Sequence, residues 1–189
     1  MQQQKLSVTD WLKASFRALT EGGPSAIKAE TIAKDLGVSK GSFYWHFANV
    51  PALKSSMLSH WKEEATQAII SELNQASDDP RAKLEQLVLV STSGRETPYG
   101  GPMVEAAIRD WARYDEPVGI IVERVDATRI EYVENLFHQY GFSKTLSKSY
   151  AKILYSSLIG LQILSVNKLV TPKKELPILL ETLLTYQPQ

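Results

Sequence analysis

Nowhere in this chain do apolar and polar side chains alternate for long enough to make a strand. Apolar residues recur instead at helical spacing, between capping residues on one side and Gly or Pro stops on the other. That pattern restricts the chain to an all-α fold of nine helices with short connections. The first helix is expected over 7–21, with Trp11, Ala14, Phe16, Ala18 and Leu19 on its apolar face and Gly22-Gly23-Pro24 as its stop. Short helices follow over 29–36, ended by Gly37, and from the cap Ser39 to about 47. Asn49, with Pro51 in the first turn, opens a long helix to about 76, and Asp79-Pro80 opens another to about 91. Residues 92–102 are too rich in Gly and Pro for regular structure and read as a loop. Helices are expected again over 103–114, 117–140 and 144–168, and a last segment after Thr171-Pro172, delayed or kinked at Pro177.

A folded chain of 189 residues hides roughly 70% of its unfolded surface, so it needs no covalent staple. With 43% apolar and 22% charged residues, it is neither disordered nor collagen-like. The absence of cysteine removes disulfide scaffolds, thiolate metal sites and cysteine nucleophiles. Residues 1–7 contain no apolar signal segment, and the greasiest run, 154–166, is too short to span a bilayer. The chain therefore reads as a cytoplasmic protein. Charge is balanced overall but uneven: residues 1–62 carry eight Lys/Arg against four Asp/Glu, a net of +4, and the remainder carries −4. A basic head on an acidic body can steer one end toward a polyanion, although chance alone produces such splits.

The most informative stretch is Thr31-Ile-Ala-Lys-Asp-Leu-Gly-Val-Ser-Lys-Gly-Ser-Phe-Tyr-Trp-His-Phe47. Ala33 is small where two helices cross, and Gly37 four residues later can take the positive φ of a tight turn, as in a helix-turn-helix. Ile32, Leu36, Val38, Phe43 and Phe47 are spaced to pack both helices onto the first. Left outward are Ser39, Lys40, Gly41, Ser42, Trp45 and His46, with Tyr44 beside them. These are hydroxyls and a cation for phosphates and base edges, small residues for close approach, and aromatic bulk. The bland alternative, that Tyr44, Trp45 and Phe47 are core aromatics, suits Phe43 and Phe47 better than Tyr44 to His46. A short helix cannot bury every face.

At these residues the sequence resembles the TetR (tetracycline-repressor) family of bacterial one-component transcription regulators. Its pattern of Gly-Val-Ser, a short helix and Tyr-x-His-Phe stands here as Gly37-Val38-Ser39-Lys40-Gly41-Ser42-Phe43-Tyr44-Trp45-His46-Phe47. The resemblance is strong over 7–60 and weaker beyond. It implies a DNA-binding domain over residues 1–48 and a ligand-binding and dimerisation domain over 49–189. It also implies that Ser39, Tyr44 and His46 hold phosphates, while Lys40, Gly41, Ser42 and Trp45 face base edges. Two positions depart from the pattern: Lys28 stands where Ser or Thr usually caps, and Val50 where Lys usually precedes the fourth helix. Lys28 and Lys54 are the cations able to relocate those backbone contacts.

One recognition helix touches few base pairs, so such proteins pair and read a palindromic operator. The helices over 117–140 and 144–168 are the expected homodimer surface. Ile153, Leu154, Leu158, Ile159, Leu161, Ile163, Leu164 and Val166 cover more than one face of the latter, and Ser156, Ser157 and Gly160 admit a close partner. A helix surrounded by its own neighbours would look similar. The resemblance places a small-molecule effector within 57–140, where Met57, Trp61, Met103, Arg109, Trp111 and Phe137 are the candidate contacts, alongside Arg95, Tyr99, Glu105, Arg113, Tyr114 and Tyr132. Such side chains are more often ordinary core than pocket lining, and the commoner fate of Arg109 and Arg113 is a surface pair with Glu105, Asp110 or Glu116. The segment Met103 to Arg113 resembles a pattern recurring in one subgroup of the family. An effector would act by shifting the long, uninterrupted helix over 51–76, which releases DNA, the behaviour of a repressor.

Two rival readings remain open to the sequence. An all-α enzyme is disfavoured because His46, His60 and His138 lie in different helices, without metal-ligand spacing, and no Gly-x-Ser-x-Gly or phosphate loop is present. No cofactor or metal is expected. A DNA-binding dimer without a small-molecule effector has the same composition as one with it.

Overall fold

The computed structural model describes residues 6–93 and 100–186, and among them the regular elements are helices. They are α1 (Val8–Gly22), a 3-10 turn (Pro24–Ala26), α2 (Ala29–Asp35), α3 (Lys40–Phe43), α4 (Val50–Lys62), a π-helical stretch (Glu63–Gln67), α5 (Ala68–Ala76), α6 (Pro80–Thr92), α7 (Pro102–Ala112), α8 (Glu116–Tyr140), α9 (Lys144–Ser165) and α10 (Pro172–Thr185). Capping residues open several of them. Ser7 and Asp10 form a reciprocal capping box on α1, Asn49 Oδ1 accepts from the Ala52 N–H at 2.8 Å, and the Asp79 carboxylate accepts from the Arg81 and Ala82 N–H groups. Thr92 closes α6 and Pro102 opens α7. Residues 94–99 of the expected loop, Arg95 and Tyr99 among them, lie outside the described residues.

Three expectations need correction. The helix after Ser39 is not regular to 47: α3 ends at Phe43, and i→i+3 bonds carry the chain on, with Tyr44 N–H to Gly41 O and His46 N–H to Phe43 O. Ser39, Gly41 and Ser42 are weak helix formers, and a short segment dominated by them tightens into 3-10-type turns. The helix from 49 to 76 is not uninterrupted, because Glu63–Gln67 is π-helical. The segment after Thr171 is not delayed: α10 starts at Pro172 and includes Pro177, whose missing N–H is offset by the burial of Leu176, Leu180, Leu183 and Leu184.

The chain forms two compact units, residues 1–65 with 96–122, and residues 66–95 with 123–189. In the first, α1 packs on α2, α4 and α7. Its core holds Trp11, Phe16, Leu19, Ile32, Phe43, Leu53, Met57, Trp61 and Ile108, all almost fully buried. Phe43 meets the Trp11 ring edge-on at 5.7 Å, which locks α3 against α1. In the second unit α10 packs on α6 and α9. Leu84, Val133, Leu136, Phe137, Phe142, Tyr150 and Leu154 join the four leucines of α10 in one core. Its partly buried polar chain runs from Asp126 through Tyr155 and Arg129 to the hydroxyl of buried Thr66. No helix among the described residues is long and apolar enough to cross a membrane.

Candidate nucleic-acid interface

The turn between α2 and α3 is set by Gly37, at φ 68°. A Cβ there would meet no atom within 4 Å, so the backbone dihedral, rather than lack of space, requires glycine. An ordinary residue in this left-handed region costs about 1–2 kcal/mol. The turn is closed by Val38 N–H to Ala33 O at 2.9 Å, with Ala33 buried at the crossing as its small size suggests.

Beyond the turn, α3 turns Phe43 inward and leaves most of its remaining side chains uncovered. Phe43 is 0% exposed, whereas the next two residues, Tyr44 and Trp45, are 58% and 88% exposed. Leaving an aromatic of this size in water forgoes roughly 2–3 kcal/mol of burial, which stability alone does not explain. His46 is half-buried, its ring 5.9 Å from that of Trp11, and Phe47 is buried. Ser39 occupies the N-cap position without bonding the helix backbone; its hydroxyl lies 3.3 Å from that of Ser42. Gly41 is exposed, and a Cβ on it would make only an ordinary 3.6 Å contact with Ser39 Oγ. The fold itself has no need of glycine at 41.

The cations are held differently from one another. Lys28 is exposed at the N-cap of α2 and makes no cap bond. Lys40 donates to Glu30 Oε1 at 2.5 Å. This hydrogen bond and the attraction behind it hold the ammonium above its ordinary pKa and the Glu30 carboxylate below its own. Lys54 is half-buried, its ammonium 5.1 Å from the centroid of the Trp111 ring on α7. Sequence reasoning missed Glu30. The available signal was an acid in the first turn of one motif helix and a lysine at the first position of the next.

Of the expected effector contacts, the first unit holds Met57, Trp61, Met103, Arg109 and Trp111. Met57 and Trp61 are fully buried, and the Trp61 indole N–H donates to Glu105 Oε2 at 2.9 Å. Arg109 makes a bidentate bond to the other oxygen of Glu105 at 2.8 and 3.0 Å, and Glu105 is 6% exposed. This is the Arg109–Glu105 pairing allowed for in the sequence, but within the protein rather than on its surface. Trp111 donates to Asp115 at 2.9 Å, and Met103 is 58% exposed. Phe137 sits in the core of the second unit against Tyr150 and Phe142. Neither unit brings the six residues together. Tyr114 is 81% exposed, Arg113 reaches Asp110 only at 4.0 Å, and Tyr132 donates to Asn74. Among the described residues no three acidic or histidine side chains converge as a metal site.

On the second unit, α9 turns Leu154 into the core while Ile153, Ile163, Leu164 and Val166 are 45–65% exposed. Ile153, Ser156, Gly160 and Ile163 recur at three- and four-residue steps and so share one stripe of the helix.

Comparison with known proteins agrees with this geometry. Residues 12–53 match the family of bacterial regulatory proteins called the tetR family. The chain is 24% identical over 151 residues to the HTH-type transcriptional regulator BetI of Burkholderia mallei, covering 79% of this chain and 74% of that one. A TetR transcriptional regulator from Legionella pneumophila shares the fold, with TM-score 0.74, 17% identity and 96% and 98% of the two chains covered. So does a transcriptional regulator from Rhodococcus sp. Rha1, with TM-score 0.73, 20% identity and 97% and 100% covered. Residues 12–53 thus carry the helix-turn-helix of the tetR family of bacterial regulatory proteins, and the chain as a whole has the fold of solved transcription regulators.

Proposed function

We propose that the chain is a repressor that binds a palindromic operator as a homodimer and is released by a small molecule. The observation that carries the DNA-reading face is the exposure of Tyr44 and Trp45 beside Ser39, Lys40, Gly41 and Ser42, directly after the Gly37 turn. Ser39, Tyr44 and His46 hold phosphates, and Lys40, Gly41, Ser42 and Trp45 meet base edges. Lys28 adds a backbone contact. Lys54 adds one only after leaving Trp111. In this reading residues 1–48 are the DNA-binding domain and 49–189 the ligand-binding and dimerisation domain, and the protein works in the cytoplasm beside its DNA.

Pairing through α8 and α9 supplies the second recognition helix, and half-sites then lie about 34–36 Å apart. The uncovered stripe of Ile153, Ser156, Gly160 and Ile163 supports α9 as the centre of that interface: small residues let backbones approach, and the aliphatic ones exclude water. The effector and the operator are coupled through linkage, so each lowers affinity for the other. Met57, Trp61, Arg109 and Trp111 are the candidate contacts. Because Arg109 and Trp61 are both bonded to Glu105, an effector reaching them has to displace a bond already made. That observation favours a second reading, a DNA-binding dimer controlled by abundance or by a protein partner.

Selection of duplexes from a random library, followed by a salt titration of the recovered sequence, tests the first reading. A palindrome whose affinity falls steeply with salt supports it. Recovery of no duplex, or of a single asymmetric half-site bound one chain at a time, contradicts it.

A further inference from the structure

Glu30 is an acid on the helix-turn-helix of a protein whose ligand is a polyanion. It sits in the first turn of α2, and the Gly37 turn brings it to the first residue of α3, where its carboxylate bonds Lys40. Both side chains are open to water, Lys40 at 50% and Glu30 at 70%. An ion pair so exposed adds little to folding. Its consequence lies in what Lys40 can offer to DNA.

We propose that Glu30 is a specificity-determining residue of the reading head, withholding Lys40 from backbone phosphates and giving it up only to a matching base pair. This rests on the reading of α3 as the DNA-contacting helix. Phosphates are present on every duplex, so an unpaired lysine would attract all sequences alike. With Glu30 beside it, that general attraction is cancelled, and approach to any duplex also drives a carboxylate toward phosphates. A G·C pair recovers the loss. Guanine O6 and N7 accept from the Lys40 ammonium, while the cytosine N4 amino group donates to Glu30, so one internal bond is exchanged for bonds to both partners of the base pair. An A·T pair sets only one acceptor, thymine O4 beside the C5-methyl group, opposite the adenine N6 amino group, so Lys40 finds there one bond where guanine offers two.

The test measures dissociation constants over a range of salt for the selected duplex and a scrambled duplex of equal length. The proteins compared are wild type, Glu30→Gln, Glu30→Ala, Lys40→Gln and the Glu30→Gln/Lys40→Gln double variant. Both Glu30 variants are expected to bind scrambled DNA about three- to tenfold tighter, with a salt slope steeper by about one, and to gain much less on the selected duplex. The specificity ratio falls several-fold. In the Lys40→Gln background only the cytosine contact of Glu30 remains to be lost, so removing Glu30 lowers the ratio by clearly less than it does with Lys40 present. An unchanged ratio in the Glu30 variants, or an equal fall with Lys40 absent, overturns the proposal. A wild-type chain that distinguishes no duplex from scrambled DNA overturns the DNA-reading assignment and the proposal together.

Discussion

Two surfaces of this molecule are left uncovered by the chain's own packing, and their chemistry differs. The α3 face exposes Tyr44 and Trp45 among hydroxyls, a glycine and a lysine, whereas the α9 stripe exposes Ile153 and Ile163 among Ser156 and Gly160. Aromatic edges, hydroxyls and cations suit phosphates and base edges, which are polar and planar. A stripe dominated by aliphatic side chains finds little in a duplex beyond the thymine methyl, but it suits another helix of the same kind. Exposure alone therefore names no partner; the kind of side chain exposed does. A basic head on an acidic body fits the same division, because only one of the two surfaces gains from a polyanion.

If the α9 stripe holds a second copy, Ile163→Asp places an unpaired carboxylate within it. The dimer dissociation constant should rise at least about a hundredfold, since burying a lone charge is costly. Sedimentation reads this directly, and operator affinity should fall with it while the monomer stays folded. On the other surface, Tyr44→Ala or His46→Ala should weaken every duplex alike, by about tenfold. Ser42→Ala or Lys40→Ala should instead relax preference at particular base pairs, by about 1–3 kcal/mol each. None of the four should change the oligomeric state. Gly41→Ala separates folding from reading. It should leave stability unchanged or raise it by up to about 1 kcal/mol, because alanine favours a helix, while weakening operator binding measured in parallel. The smallest effect belongs to neither surface. Hydrogen bonds from Ser7 hold the Asp10 carboxyl below its ordinary value, so the cap's contribution is complete above about pH 4 and is lost as pH falls through the lower folded value. Unfolding curves of wild type and Asp10→Asn should converge at the acid end and leave both surfaces unaffected.

Much of the fold was legible because caps and stops are local chemistry. Ser7, Asn49 and Asp79 each accept from a backbone N–H at the start of the helix they were expected to open, and Ser143 does the same for α9. The π-helical stretch was harder to read, though a trace of it exists. Leu53, Met57, Trp61, Ala65, Ile69 and Leu73 repeat every four residues, and each such step overshoots a regular helical turn by about 40°. A local loosening of the helix is one way to absorb that drift. Within the motif, Gly37 and the outward Tyr44-Trp45 pair could be read from residue type and spacing. Glu30 could not, because its pairing with Lys40 depends on the angle between two helices. The effector contacts were least legible, since Phe137 in a core and Trp61 on a buried carboxylate have the composition of either a pocket or a plain interior.

The four tryptophans allow a direct test of the central claim, that α3 enters DNA. Trp11 and Trp61 are 0% exposed and Trp111 is 5% exposed, whereas Trp45 is 88% exposed, so a neutral quencher such as acrylamide reaches Trp45 far more readily than the others. Adding the selected duplex at saturating concentration should protect the accessible component of the emission, and that component should be absent from Trp45→Phe. If Trp45 stays as open to quencher on saturating DNA as in the free protein, α3 does not lie against the duplex and the account is wrong.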